Sequence, residues 1–179
     1  MGCIQLDNKN TKKNNKINQN NHKTNEINIK EFCEEALKQH NKLREMHHAN
    51  NLKIDDNLQN YAQKFAEEIA NKSEEYHSPC LLNGNVIGEN IYIDDSFITG
   101  EKMTNEFYNE YKNYDFNKAE CEIKALRFTQ LIWKNSKEVG FGIAKSKSGK
   151  YYCVANYYPA GNSLGEYKEN VENVVSKNM

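Results

Sequence analysis

The chain opens MGCIQLDNKNTKKNNK, and its second and third residues offer defined chemistry. Once Met1 is removed, Gly2 presents the N-terminal amine, and only an N-terminal glycine accepts a myristoyl amide. Cys3 beside it can take a palmitoyl thioester. The usual motif asks for Ser or Thr at position 6, and Leu6 stands there instead. One acyl chain holds a membrane only marginally, whereas a second chain or a polybasic stretch makes the hold stable. Cys3 and the cluster Lys9, Lys12, Lys13 and Lys16 supply both. The plain alternative is an unmodified leader.

A second stretch is chemically odd. LRFTQLIWKNSKEVGFG (126–142) sets a permanently charged side chain, Arg127, against an apolar run that holds the only Trp. The five cysteines (Cys3, Cys33, Cys80, Cys121, Cys153) are odd in number, form no CxxC and are irregularly spaced. That pattern supports neither a disulfide framework nor a zinc knuckle. No apolar stretch follows the start as in a signal peptide, and no 18-residue apolar run could span a membrane. The expectation is a chain kept in the reducing cytosol.

The elements that must carry these residues follow from periodicity. Residues 1–28 hold nine Asn and few large aliphatics, too little for a core, and are expected to be a disordered basic arm. Six Lys against Asp7 and Glu26 give residues 1–30 a net charge of +4, while residues 31–179 carry −5. A basic arm suits an anionic surface, and a mildly acidic body argues against nucleic acid as a partner. Apolar spacing predicts helices over 29–48, 55–76 (with Asp55 or Asp56 as N-cap) and 99–116, and a shorter one at RFTQLIWKN. EVGFGIAKS and YYCVANYYPA, joined by KSKSGK, read as a β-hairpin, and GENIYI (88–93) as a further strand. Gly140 and Gly142 imply close backbone packing. His40 reads as a packing residue, with Arg44 on its face reaching for the GEN segment or a nearby carbonyl. His47 and His48 read as capping or solvated, and Phe128, Trp133, Phe141 and Tyr157 as core. The polar tail 164–179 is expected outside the core. The fold class is α+β.

Four segments in order, HNKLR (40–44), HSP (77–79) with GENIY (88–92), RFTQLIWKNSKEVGFG (127–142) and YYCVANYYPAGN (151–162), resemble the signatures of the CAP superfamily across residues 29–163. The resemblance implies a three-layer α-β-α sandwich. It is strongest to the Golgi-associated plant pathogenesis-related branch, since secreted relatives usually place a disulfide Cys where this chain has Ala155. That branch implies an intracellular, myristoylated protein on the cytosolic face of membranes. Its implied partners are anionic lipid or sterol and a second copy in a homodimer. The alternatives are a secreted defence or effector protein and, less favoured, a cleft hydrolase in which Ser78 or Ser136 approaches His77.

The family's cavity holds two His and two Glu. Carried over by motif, these positions are His77, Glu89, Glu110 and, in place of the second His, Arg127. Two imidazoles can bind zinc, but a guanidinium has no available lone pair and carries charge. No cofactor or metal is therefore expected, and His77 is a remnant ligand position. Arg127 is expected to pair with Glu89 or Glu110, or, in the plain reading, to point to solvent at a helix start. Removing one partner of a buried pair costs on the order of 3–5 kcal/mol.

Overall fold

The computed structural model describes residues 27–174. Gly2, Cys3 and nearly all of the basic arm lie outside the described residues. The domain starts two residues earlier than the sequence suggests: Ile27 packs against the core, and the Asn28 side chain accepts from the Glu31 amide at 3.2 Å. That cap opens helix α1 (Ile29–Met46), whose buried stripe is Phe32, Ala36, His40, Leu43 and Arg44. Asp55, rather than Asp56, caps helix α2 (Asp56–Lys72) by accepting from the amides of Asn57 and Leu58. The helix expected over 99–116 is shorter. Helix α3 (Gly100–Tyr108), capped by Thr99, tightens into a 3-10 turn at Asn109–Asn113. The last predicted helix is α4 (Leu126–Ile132).

Strands β4 (Gly88–Asp94), β5 (Glu138–Lys145) and β6 (Tyr151–Tyr158) form the antiparallel sheet, with β6 in the middle. A strand the sequence did not reveal, β1 (Lys53–Ile54), pairs parallel with β5 at the far edge. A second unforeseen piece is the small hairpin of β2 (Leu81–Leu82) and β3 (Asn85–Val86). Both have only two residues per strand, too few for an alternation to show.

Alternation along β6 sorts the layers. Tyr151, Cys153, Ala155 and Tyr157 face one core with α1, α3 and α4, while Tyr152 and Val154 face a second core with Phe65, Ile69 and Ile91 beneath α2. The result is the expected three-layer α-β-α sandwich. Gly140 lets α2 lie directly on β5: a Cβ there would stand 2.1 Å from the Leu58 carbonyl carbon. Phe128, Trp133, Phe141 and Tyr157 are all core.

Two expectations are corrected. The tail is not outside the core: Tyr167, in helix α5 (Tyr167–Asn170), is 1 % exposed and packs edge-on against Trp133, and Val171 is 4 % exposed. Tyr167 and Val171 sit among polar residues, so no stripe announces them. His47 does cap α1, its backbone amide donating to the Arg44 carbonyl at 3.0 Å, but its side chain is not solvated. It is fully buried among Tyr108, Tyr111, Phe116 and Phe128, and its ring nitrogens meet the Glu172 carbonyl at 2.6 Å and the Tyr108 hydroxyl at 3.0 Å.

Candidate functional site

Strand β4 positions the site because it is the sheet edge next to both α4 and the segment that leaves α2. Glu89 shares the strand face of Ile91 and Ile93, turned toward α2. Its side chain is 1 % exposed, so an ionised carboxylate there must be met by donors. Four are present. His77 Nδ1 lies 2.9 Å from Oε1, and the Ser78 amide donates to the same oxygen at 2.9 Å. The Ser78 hydroxyl donates to Oε2 at 2.6 Å and Asn156 Nδ2 at 3.1 Å. Burial pushes the Glu89 carboxyl up, but the donors outweigh it and hold it below the usual range. Its hydrogen bond to Glu89 raises the His77 imidazole above its ordinary value.

Arg127, the second residue of α4, pairs with the other carboxylate. Its Nε donates to Glu110 Oε1 at 2.6 Å. Glu110 Oε2 accepts from the amides of Arg127 at 2.8 Å and Phe128 at 3.3 Å, so the same side chain also caps α4. Arg127 Nη1 reaches over the β4 edge to the Ile91 carbonyl at 3.2 Å, and the guanidinium lies 5.9 Å from the Tyr92 ring centre. The pair is only partly buried: the Arg127 side chain is 37 % exposed and that of Glu110 16 %. The four sequence-derived positions therefore form two pairs, His77–Glu89 and Arg127–Glu110. Among the described residues no hydrogen bond joins one pair to the other; they share β4.

Helix α1 fixes this arrangement from below. Asn90, beside Glu89 in β4, donates from Nδ2 to the Arg127 carbonyl at 2.9 Å and to the Tyr157 hydroxyl at 3.3 Å. That hydroxyl lies 2.9 Å from His40 Nε2, while His40 Nδ1 lies 2.8 Å from the Ala36 carbonyl. A carbonyl can only accept, so Nδ1 carries the proton and Nε2 accepts from Tyr157. The neutral tautomer is thereby set, and burial pushes the His40 pKa down to about 3. Arg44, one turn on, is 0 % exposed and donates to the carbonyls of Asn50, Leu131, Trp133 and Ser136 at 2.8–2.9 Å. It thus fastens the end of α4 and the loop beyond it, as the carbonyl-seeking reading of Arg44 anticipates.

Asn156 is a site residue that sequence reasoning did not single out, and Ser78 entered it only as a nucleophile beside His77, not as a donor to Glu89. Both stood inside quoted motifs, HSP and VANYY. The usable signal was that a buried Glu needs donors from neighbouring segments.

The geometry meets a sequence match that decides the family. The model of CAP, the cysteine-rich secretory protein family, matches residues 37–157. The chain belongs to the CAP family. The Golgi-associated plant pathogenesis-related protein 1 of Homo sapiens is 37 % identical over 144 residues, covering 79 % of this chain and 93 % of that one. Protein PRY2 of Saccharomyces cerevisiae is 33 % identical over 144 residues, 79 % of this chain but only 41 % of that longer protein. Among solved structures, venom allergen-like protein 4 of Schistosoma mansoni superposes with a TM-score of 0.61 at 23 % identity, over 82 % of this CAP chain and 96 % of that one.

Proposed function

We propose that this chain is a non-catalytic CAP-domain binding module, held on anionic cytosolic membrane faces by acyl groups on Gly2 and Cys3 and by its Lys cluster. The observation that carries the reading is the MGC start followed by Lys9, Lys12, Lys13 and Lys16, joined to a domain 37 % identical to a relative named as Golgi-associated. The ligands of this reading are anionic lipid or sterol, with a second copy as the protein partner. The cleft supports binding over hydrolysis. Ser78 and His77 both direct their hydrogen bonds at Glu89, so the hydroxyl and the imidazole share an acceptor rather than forming a nucleophile and its base. The donor set also speaks against a resident zinc ion, since Arg127 takes the second imidazole's place and already engages Glu110.

Intact mass of the protein from eukaryotic cells, read alongside sedimentation with anionic and neutral vesicles, tests the reading. Acyl mass on Gly2 and Cys3 with preference for anionic vesicles is expected. An unmodified Gly2, or no preference in acylated protein, overturns it.

A further inference from the structure

A groove on the face away from the cleft carries a second role for the N-terminus. It lies between the start of α1 and α2, is lined by Ile29, Cys33, Leu37, Ile54 and Gln59 with the exposed Lys30 and Glu34 at its edge, and encloses about 460 Å³. Its rim leaves Ile29 39 % and Ile54 38 % exposed. Its floor asks for no polar partner. The Gln59 amide is spent on the Phe141 backbone, donating to the carbonyl and accepting from the amide, and the Cys33 thiol lies 3.8 Å from the same carbonyl. An apolar trough with satisfied polar groups calls for an apolar occupant.

The occupant follows from where the chain arrives. Ile29, on the groove rim, follows Ile27, which packs against the core, so residues 1–26 join the domain close to this spot. Three of their four large apolar side chains, Met1, Ile4 and Leu6, fall in the first six positions. Ile4 and Leu6 would share one side of an extended segment. The trough runs from Ile29 to Leu37, roughly 12 Å along α1, about the length of four extended residues. Residues 7–26 are long enough to let the segment return, since extended chain reaches about 3.3 Å per residue.

We propose that this groove holds residues Gly2–Leu6 of the same chain, with the Gly2 acyl group beside them, whenever the protein is off the membrane. Docking and membrane insertion then compete for the same apolar atoms, and the groove sets how readily the anchor is released. The inference rests on the anchor reading above only for the acyl group; Ile4 and Leu6 dock without it.

Cys33 reports occupancy, because a docked segment shields its thiol. The experiment measures alkylation of Cys33 by N-ethylmaleimide, mapped by peptide mass, in acylated and unacylated full chain and in an Ile4→Glu/Leu6→Glu variant. Exposed Cys121 serves as the internal reference. With a tether giving an effective concentration on the order of 1 mM and docking near 0.1 mM, alkylation in the variant should rise about tenfold relative to the parent chain. Anionic vesicles should raise it likewise in the acylated chain. Equal Cys33 rates in parent and variant overturn the proposal, as does protection that grows with protein concentration, which would put a second copy in the groove. Protection without acyl mass leaves docking standing and removes the anchor reading; acyl mass without protection does the reverse.

Discussion

Replacing Arg127 with alanine removes a charge-assisted hydrogen bond of 2.6 Å to Glu110 and a longer one to the Ile91 carbonyl. The sequence alone suggests a loss of 3–5 kcal/mol, the figure for a buried pair. The structure lowers it. Arg127 is 37 % exposed, and without it Glu110 keeps two backbone amides on Oε2. A solvent-screened pair whose carboxylate stays partnered should cost about 1–2 kcal/mol. Glu110→Ala should cost more, because it deletes the same pair and also uncaps α4. Adding about 1 kcal/mol for the cap gives a total of about 2–3 kcal/mol. Glu110→Gln, which retains an acceptor for the α4 amides but loses the charge, should fall between. The double alanine variant should match Glu110→Ala closely, so the coupling is about 1–2 kcal/mol, the whole of the Arg127→Ala loss. Urea unfolding followed by circular dichroism resolves these differences. The reasoning is refuted if Arg127→Ala destabilises as much as Glu110→Ala, or if the two losses simply add.

His40 is held neutral while its unfolded counterpart titrates near 6.5, so the unfolded chain binds the proton first as pH falls. Stability should therefore decline from about pH 6.5 toward about pH 3, by up to about 1.4 kcal/mol per unit, and urea midpoints across that window check it. Arg44→Lys keeps the charge but cannot reach four carbonyls with one ammonium. A loss on the order of 2–4 kcal/mol is expected, and an unchanged urea midpoint would show that the carbonyl contacts are incidental. Arg127→His restores a second imidazole beside β4, and titration calorimetry with Zn²⁺ should then give heat where the parent chain gives none; silence in both removes the ligand-replacement argument.

Periodicity made much of the domain legible. The stripes of α1 and α2 and the alternation of β5 and β6 each bury a face several residues long, so the pattern survives in one dimension. The choice of Glu110 over Glu89 did not survive. It depends on α3 tightening at Asn109, which turns Glu110 back toward α4, and on Ser78, His77 and Asn156 meeting Glu89 from separate segments. The burial of the His47 ring was missed for the same reason: the aromatic rings enclosing it come from three stretches of chain, and only Tyr108 and Tyr111 are near one another in sequence. Tyr167 and Val171 were hidden by their polar neighbours, although Tyr167 packs edge-on against the only Trp of the chain.

The seat of Tyr167 and Val171 sets an order on biosynthesis. Trp133 leaves the ribosome well before the residues that close over it, Tyr167 and Val171, which follow 34 and 38 positions later. At roughly 5–20 residues per second that is a wait of about 2–8 s, during which the largest side chain of the core has an unfinished lid. A nascent chain stalled near Ser163 would display an aromatic surface to chaperones, and release beyond Val171 would withdraw it. The segment that completes this core is thus the last part of it to be synthesised.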